Sequence, residues 1–408
     1  MLPEEVLDLR LEVYRQTDGA FHTIATLGTE RAEGDFMLSV SRDDVRRAIF
    51  QSDAASSATV GRRSVAGSSD PLRGLGTQLF SRVFEGPASR IYQLTRPRGG
   101  VPPMPLRLSI LAQDTASSDL PWEYLYDART EGFVALTPGV SIVRLAPVPR
   151  TDTPSVSLRV ALVVIDPIGA FGGREEEEVL RRIASTSDCF TVTRVDGLAL
   201  DTLAAALEGA DVLHYVGLGN GKADAPVLHW ATEPLRVHQL VTALPASVRV
   251  VYLSADATDA FASALAANVS TSIGVRGTIP IDAALTFCDA FYRRVLSEDP
   301  VDEAFAFARR AVASAHPAAR AWGLPLLFTH HPGMPLLRSA RPLVARSPAD
   351  VRPTELGNAR AVLAAVRAMN IEALTARIEA LGTDAPRFLH DQLESEQALM
   401  PVDATQVD

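Results

Sequence analysis

Hydrophobic and polar residues alternate through Leu7, Leu9, Leu11 and Val13, the period of a strand with one buried face. The same reading extends over Phe21 to Leu27 and Phe36 to Val40, and Leu106, Leu108 and Ile110 alternate again. Between these, Ser41 reads as a helix N-cap, with Asp43 and Asp44 in the first turn and Val45 to Phe50 behind them. Leu72 to Phe84 and Ala88 to Leu94 have helical spacing. Ser52 to Asp70, rich in Ser, Ala and Gly with almost nothing to bury, predicts a mobile loop.

After Thr151 to Pro154 the texture changes. Apolar runs at Val160–Ile165, Phe190–Val195, Val212–Val216, Val248–Leu253, Thr271–Val275 and Leu324–Phe328 alternate with helical patterns. Those helices are predicted at Leu200–Leu207, Val237–Leu244, Ala283–Leu296 and Asp302–Ser314. Apolar strands separated by helices predict an α/β fold, a mainly parallel sheet covered on both faces. Sites in such sheets lie at the C-terminal strand ends, which directs attention to residues after Val216 and Leu253. The chain accordingly divides into an N-terminal β-rich subdomain (1–150), an α/β subdomain (151–330), a Pro- and Arg-rich linker or strap (331–354) and a helical tail (355–408). The tail carries one apolar stripe, including Val362, Val366, Ile371, Leu374 and Ile378, to be buried at home or on a partner.

Composition narrows the function classes. The 408 residues are 47% hydrophobic and 22% charged, as in an ordinary globular protein. A net charge of -10 argues against nucleic acid or an anionic membrane as partner. Lys222 is the only lysine, an arginine bias of the kind GC-rich bacterial coding sequences produce. Two cysteines, Cys189 and Cys288, are too few for a disulfide framework. The acidic start MLPEEVLDLR is no signal peptide, and no apolar run approaches a membrane span, so the cytoplasm is the expected location.

The most distinctive string is LPWEYLYD, Leu120 to Asp127: an apolar aromatic cluster behind Pro121, with Glu123 as its odd charge. It resembles the LPWE signature of CHAT domains, which are caspase-like peptidases. Further matches follow in family order: Gly132–Arg144, DVLHYVGLGNG at Asp211–Gly221, VVYLSADATDA at Val250–Ala260, Ala284–Val312 and WGLPLLF at Trp322–Phe328. The resemblance runs from about Leu7 to Phe328 and implies a caspase-like fold.

In that family a cysteine thiolate at one strand end attacks the peptide carbonyl, and a histidine at the neighbouring strand end handles the proton. On the motifs of this sequence, the cysteine position holds Asp256 and the histidine position holds Leu218. With both members replaced, the resemblance implies a pseudo-peptidase without catalytic residues. What remains is a possible binding cleft of His214, Gly217, Gly219, Ser254, Asp256 and Asp259 for a peptide or protein partner. His214 also reads as a hydrogen-bonded histidine of the strand. The family setting implies regulation or scaffolding in bacterial defence or programmed death. Two alternatives stand beside this: a hydrolase in which Asp256, with His214 or Asp259, activates water, and a small-molecule sensor using the vacated cleft.

Weaker signals do not change this reading. GLGNG, Gly217–Gly221, starts like a dinucleotide loop but no helix pattern follows it. FGGREEEEV, Phe171–Val179, places glycines before a helix whose glutamates repel phosphate and suit a plain helix N-terminus. His330 and His331 lack partners at metal spacing, and Cys189 and Cys288 read as small core residues. No cofactor or metal is expected.

Overall fold

The computed structural model describes residues 6–59, 70–84, 87–95, 104–146, 153–166, 169–195, 200–230, 233–317, 319–338 and 375. All but Thr375 belong to the unit Met1–Ser339. The linker beyond residue 338, the tail read at 355–408 (Thr375 apart) and residues 60–69 of the predicted loop lie outside the described residues.

The strands of the N-terminal half are β1 (Leu7–Arg15), β2 (Phe21–Leu27), β3 (Glu30–Phe36), β4 (Leu106–Ala112), β5 (Tyr126–Asp127), β6 (Gly132–Phe133) and β7 (Val140–Leu145). Then come β8 (Leu158–Val164), β9 (Phe190–Arg194), β10 (Val212–Leu218), β11 (Val227–Trp230), β12 (Glu233–Arg236), β13 (Val250–Asp256), β14 (Thr271–Val275) and β15 (Pro325–Thr329). Eleven of these form one sheet in the order β3-β2-β1-β4-β7-β15-β14-β13-β10-β8-β9. Only the β3–β2, β2–β1 and β15–β14 pairings are antiparallel, so the sheet is mainly parallel, as the apolar runs predict. One sheet therefore runs through both halves of the chain, joined where β7 pairs with β15.

The helices are α1 (Arg42–Thr59), α2 (Pro71–Phe84), α3 (Pro87–Leu94), α4 (Thr115–Asp119), α5 (Gly173–Ala184), α6 (Leu200–Ala206), α7 (Val237–Ala243), α8 (Asp259–Leu265), α9 (Ile281–Leu296) and α10 (Val301–Ala315). Alternate residues of the central strands feed two cores. Val212, Val216, Val250 and Tyr252 pack with Leu180 of α5 and Phe287 and Phe291 of α9. Leu213, Tyr215, Val251 and Leu253 pack with Leu203 of α6, Leu240 of α7 and Phe261 of α8. Strands buried on both faces are thus apolar at most positions, which is why they read as nearly continuous runs.

Three local readings are corrected. The predicted loop is helical over Ser52–Thr59, which closes α1; its Ala residues favour helix despite their lack of a large apolar face. The strand read at Phe36–Val40 lies earlier: β3 pairs with β2 from Glu30 to Phe36, across a turn at Gly28, so Met37–Val40 fall past the end of the pairing. The β11–β12 hairpin and α8, unread in the sequence, complete the α/β layer.

Residues 331–338 run back along the unit. Arg338 N donates to Ser155 O at 2.8 Å, Ser155 N donates to Leu336 O at 3.0 Å, and Leu336 and Leu337 are buried. No helix among the described residues is long and apolar enough to cross a membrane.

Candidate functional site

The residues to which the strand-end rule directs attention close β10 and β13. These parallel neighbours pair His214 with Tyr252, Val216 with Ser254, Gly217 with Ala255 and Leu218 with Asp256. Leu218 and Asp256 are therefore side by side at the last rung. The end of β10 depends on glycine. A Cβ on Gly217 would stand 2.5 Å from the Tyr215 hydroxyl, and one on Gly219 would stand 2.6 Å from the Ala257 carbonyl oxygen. The Tyr215 hydroxyl needs that space, because it donates to His229 O at 2.5 Å.

Asp256 is engaged with the loop after β14. Its Oδ1 accepts from Ile279 N at 2.9 Å, and Thr278 supplies a side-chain hydrogen bond. Burial raises the Asp256 carboxyl above its usual range, against the lowering effect of those two donors. The N–H of Gly219, just past Leu218, donates to Asp256 O at 2.8 Å, continuing the strand ladder. Ala257, the next residue, has φ +55°, a left-handed conformation unusual for alanine.

The other residues of the expected cleft are brought elsewhere. His214 sits four residues before Leu218, about 13 Å down the strand, fully buried and stacked on Tyr252 with ring centroids 4.4 Å apart. Its Nδ1 is 3.0 Å from the Tyr292 hydroxyl and its Nε2 is 3.0 Å from Glu176 Oε1. Ser254 points the same way and donates to Glu176 Oε2 at 2.8 Å. His214 thus takes the place of a hydrogen-bonded core histidine rather than facing Asp256.

Glu176 is the functional-looking residue that the sequence reading passed over. Within EEEE it falls on the buried stripe of α5 with Val179, Leu180 and Ile183, at spacings of three, four and seven. That stripe is the signal that separates it from its solvent-facing neighbours Glu175 and Glu178.

Asp259 turns to the opposite face, at the start of α8. Its Oδ1 accepts from Arg42 at 2.5 Å, and its Oδ2 lies 3.4 Å from Arg276. Arg42 also binds Asp119 at 2.7 Å. Beside them Arg144 grips Glu123 through two bonds, of 2.9 and 2.8 Å, and bonds the carbonyls of Ser118 and Leu120. The odd charge of LPWE is therefore the buried partner of Arg144. These arginines and aspartates line a cavity of about 330 Å³ that neither Leu218 nor Asp256 reaches.

The ordered strand ends, the LPWE turn and the paired helices α9 and α10 have one counterpart in sequence: the CHAT domain pattern matches residues 73–334. The chain belongs to the CHAT domain family. The caspase-like arrangement expected from the resemblance, a mainly parallel sheet flanked by helices, is the architecture present. No curated protein matches the sequence. Among solved structures, the chain is similar to the Saccharomyces cerevisiae separase–securin complex, in crystal structures at 2.6 and 3.0 Å resolution. Identity is 9% and the TM-scores are 0.46 and 0.45, over 79% of this chain and 30% of that chain. The CHAT chain thus spans less than a third of that length.

Proposed function

We propose that this protein is a CHAT-family pseudo-peptidase that acts in the cytoplasm by binding a protein or peptide and does not cleave it. The observation that carries this reading is the Leu218–Asp256 pairing at the strand ends, where the family chemistry needs a histidine and a cysteine. Leu218 cannot move a proton. Asp256 is a poor nucleophile toward an amide, since the anhydride it would form favours return to substrate, and its Oδ1 is already occupied by Ile279 N–H.

Replacement bases are out of position. His214 is buried between Glu176 and Tyr292, and Asp259 is held by two arginines on the other face. The Gly219 N–H, spent on the ladder, is not free to stabilise an oxyanion. The hydrolase alternative therefore lacks a second arm, whereas the strand ends retain a folded surface on which a ligand can rest. A role as regulator or scaffold in a bacterial defence or programmed-death system follows from the family setting.

The test is incubation with peptide libraries carrying Arg or Asp before the scissile bond, read by mass spectrometry, alongside affinity capture with the intact protein. No cleavage above buffer, together with a captured protein partner, is the expected outcome. Cleavage that disappears in Asp256→Ala overturns the proposal.

A further inference from the structure

Glu176 is buried among polar side chains that the proposed function does not use. The residue is 1% exposed, and its only ion-pair contact among the described residues is the His214 imidazole. Its other partners, the Ser254 hydroxyl and the Cys288 thiol, are neutral donors.

The same three side chains offer a set of metal donors. A Glu176 oxygen, a His214 ring nitrogen and Cys288 Sγ lie within 4.8 Å of one another, and all three residues are buried. They come from α5, β10 and α9, far apart in sequence, which is why no ligand spacing is readable there. We propose that Glu176, His214 and Cys288 form a closed zinc site, with the Ser254 hydroxyl holding the Glu176 carboxyl through its 2.8 Å bond to Oε2.

The chemistry balances without a redox step. As the Zn–S bond forms, the Cys288 thiol proton leaves to solvent, and Zn2+ with one thiolate and one carboxylate is electrically neutral. Oxygen, nitrogen and sulfur donors in a small tetrahedral set suit zinc better than calcium or magnesium. His214 would bind through Nε2, with Nδ1–H donating to the Tyr292 hydroxyl 3.0 Å away, the outer hydrogen bond that orients ligating histidines. Enclosed by core side chains, the ion would load during folding and pin α5 and α9 to the sheet beneath the strand ends. This inference is independent of whether the chain cleaves peptides.

The experiment unfolds the full chain in denaturant with a chelator and refolds it with Zn2+ or with Co2+ as a spectroscopic probe. Mass spectrometry should then count one metal per chain after desalting. The cobalt form should show a near-ultraviolet thiolate-to-metal band that survives Cys189→Ser and is lost in Cys288→Ser. The zinc-refolded protein should melt above the chelator-refolded one. Wild-type protein that refolds without bound metal, or binds cobalt with no thiolate band, overturns the proposal. Because that readout uses the wild-type chain, it stands even where Cys288→Ser does not fold.

Discussion

Leu218 and Asp256 are register partners at the C-terminal ends of two adjacent parallel strands, on the same face of the sheet as His214 and Ser254. Converting the pair to Leu218→His with Asp256→Cys, the side chains that the proposed function expects of the family there, removes the acceptor for Ile279 N–H. The double variant should fold with a cooperative melt and lose about 1 kcal/mol, the net worth of a typical hydrogen bond. Chemical denaturation measures this; a variant that fails to fold would show that Leu218 and Asp256 have become part of a rearranged core.

Beneath that pair, His214→Ala should be costly. It leaves Glu176 buried without its ion-pair contact and the Tyr292 hydroxyl without its 3.0 Å partner. A loss of about 3–5 kcal/mol is expected in urea unfolding, the range for removing one member of a buried pair. A change under about 1 kcal/mol would mean that the network contributes little to stability.

Arg144 and Glu123 make the corresponding test on the other side of the molecule. Burial alone would raise the Glu123 carboxyl, but Arg144, with Arg276 and Arg309 behind it, holds the group below its usual range. A carboxyl with a lowered folded pKa adds stability that is present above its unfolded pKa and lost as pH falls through the folded value. The wild type should therefore lose stability on acidification below the ordinary carboxylate range. Arg144→Ala should reduce stability at neutral pH by about 3–5 kcal/mol and flatten that acid limb. Unfolding midpoints measured at a series of pH values check both.

Asp256 has the opposite sign. Its carboxyl is raised by burial, so the folded state holds the proton where the unfolded state has released it. Stability falls as pH rises from the unfolded value through the folded one. Asp256→Asn removes this dependence and can keep the Ile279 N–H bond through its amide oxygen. The variant should equal or exceed wild-type stability at neutral pH; a large loss there would show that the charge itself is needed.

Gly219→Ala is expected to destabilise the strand ends, because its Cβ would approach the Ala257 carbonyl oxygen to 2.6 Å, and backbone there is already in a left-handed conformation at Ala257. A lowered melting temperature with unchanged far-UV circular dichroism is the expected result. Gly74, with open space around its would-be Cβ, serves as the control position.

Most of the architecture was legible because it rests on local periodicity. Apolar runs marked β8, β10, β13 and β14, buried on both faces, and the order of motifs pointed to the family. The short hairpin β11–β12 escaped because each of its strands is only four residues long, too brief to show a period. The expected cleft dispersed for a different reason. Strand parity sends His214 and Ser254 inward to Glu176, while the turn after β13 carries Asp259 to the opposite face and its arginines.

The sequence by itself determined the α/β class, the strand ends that matter and the residue types standing there, since these follow from patterns a few residues long. Only the tertiary structure decided which polar side chains meet. Glu176, His214, Ser254 and Cys288 are neighbours because helices α5 and α9 close over one face of the adjacent strands β10 and β13. Their partnership is written in no spacing along the chain; packing brings them together and excludes the water that would otherwise satisfy each alone.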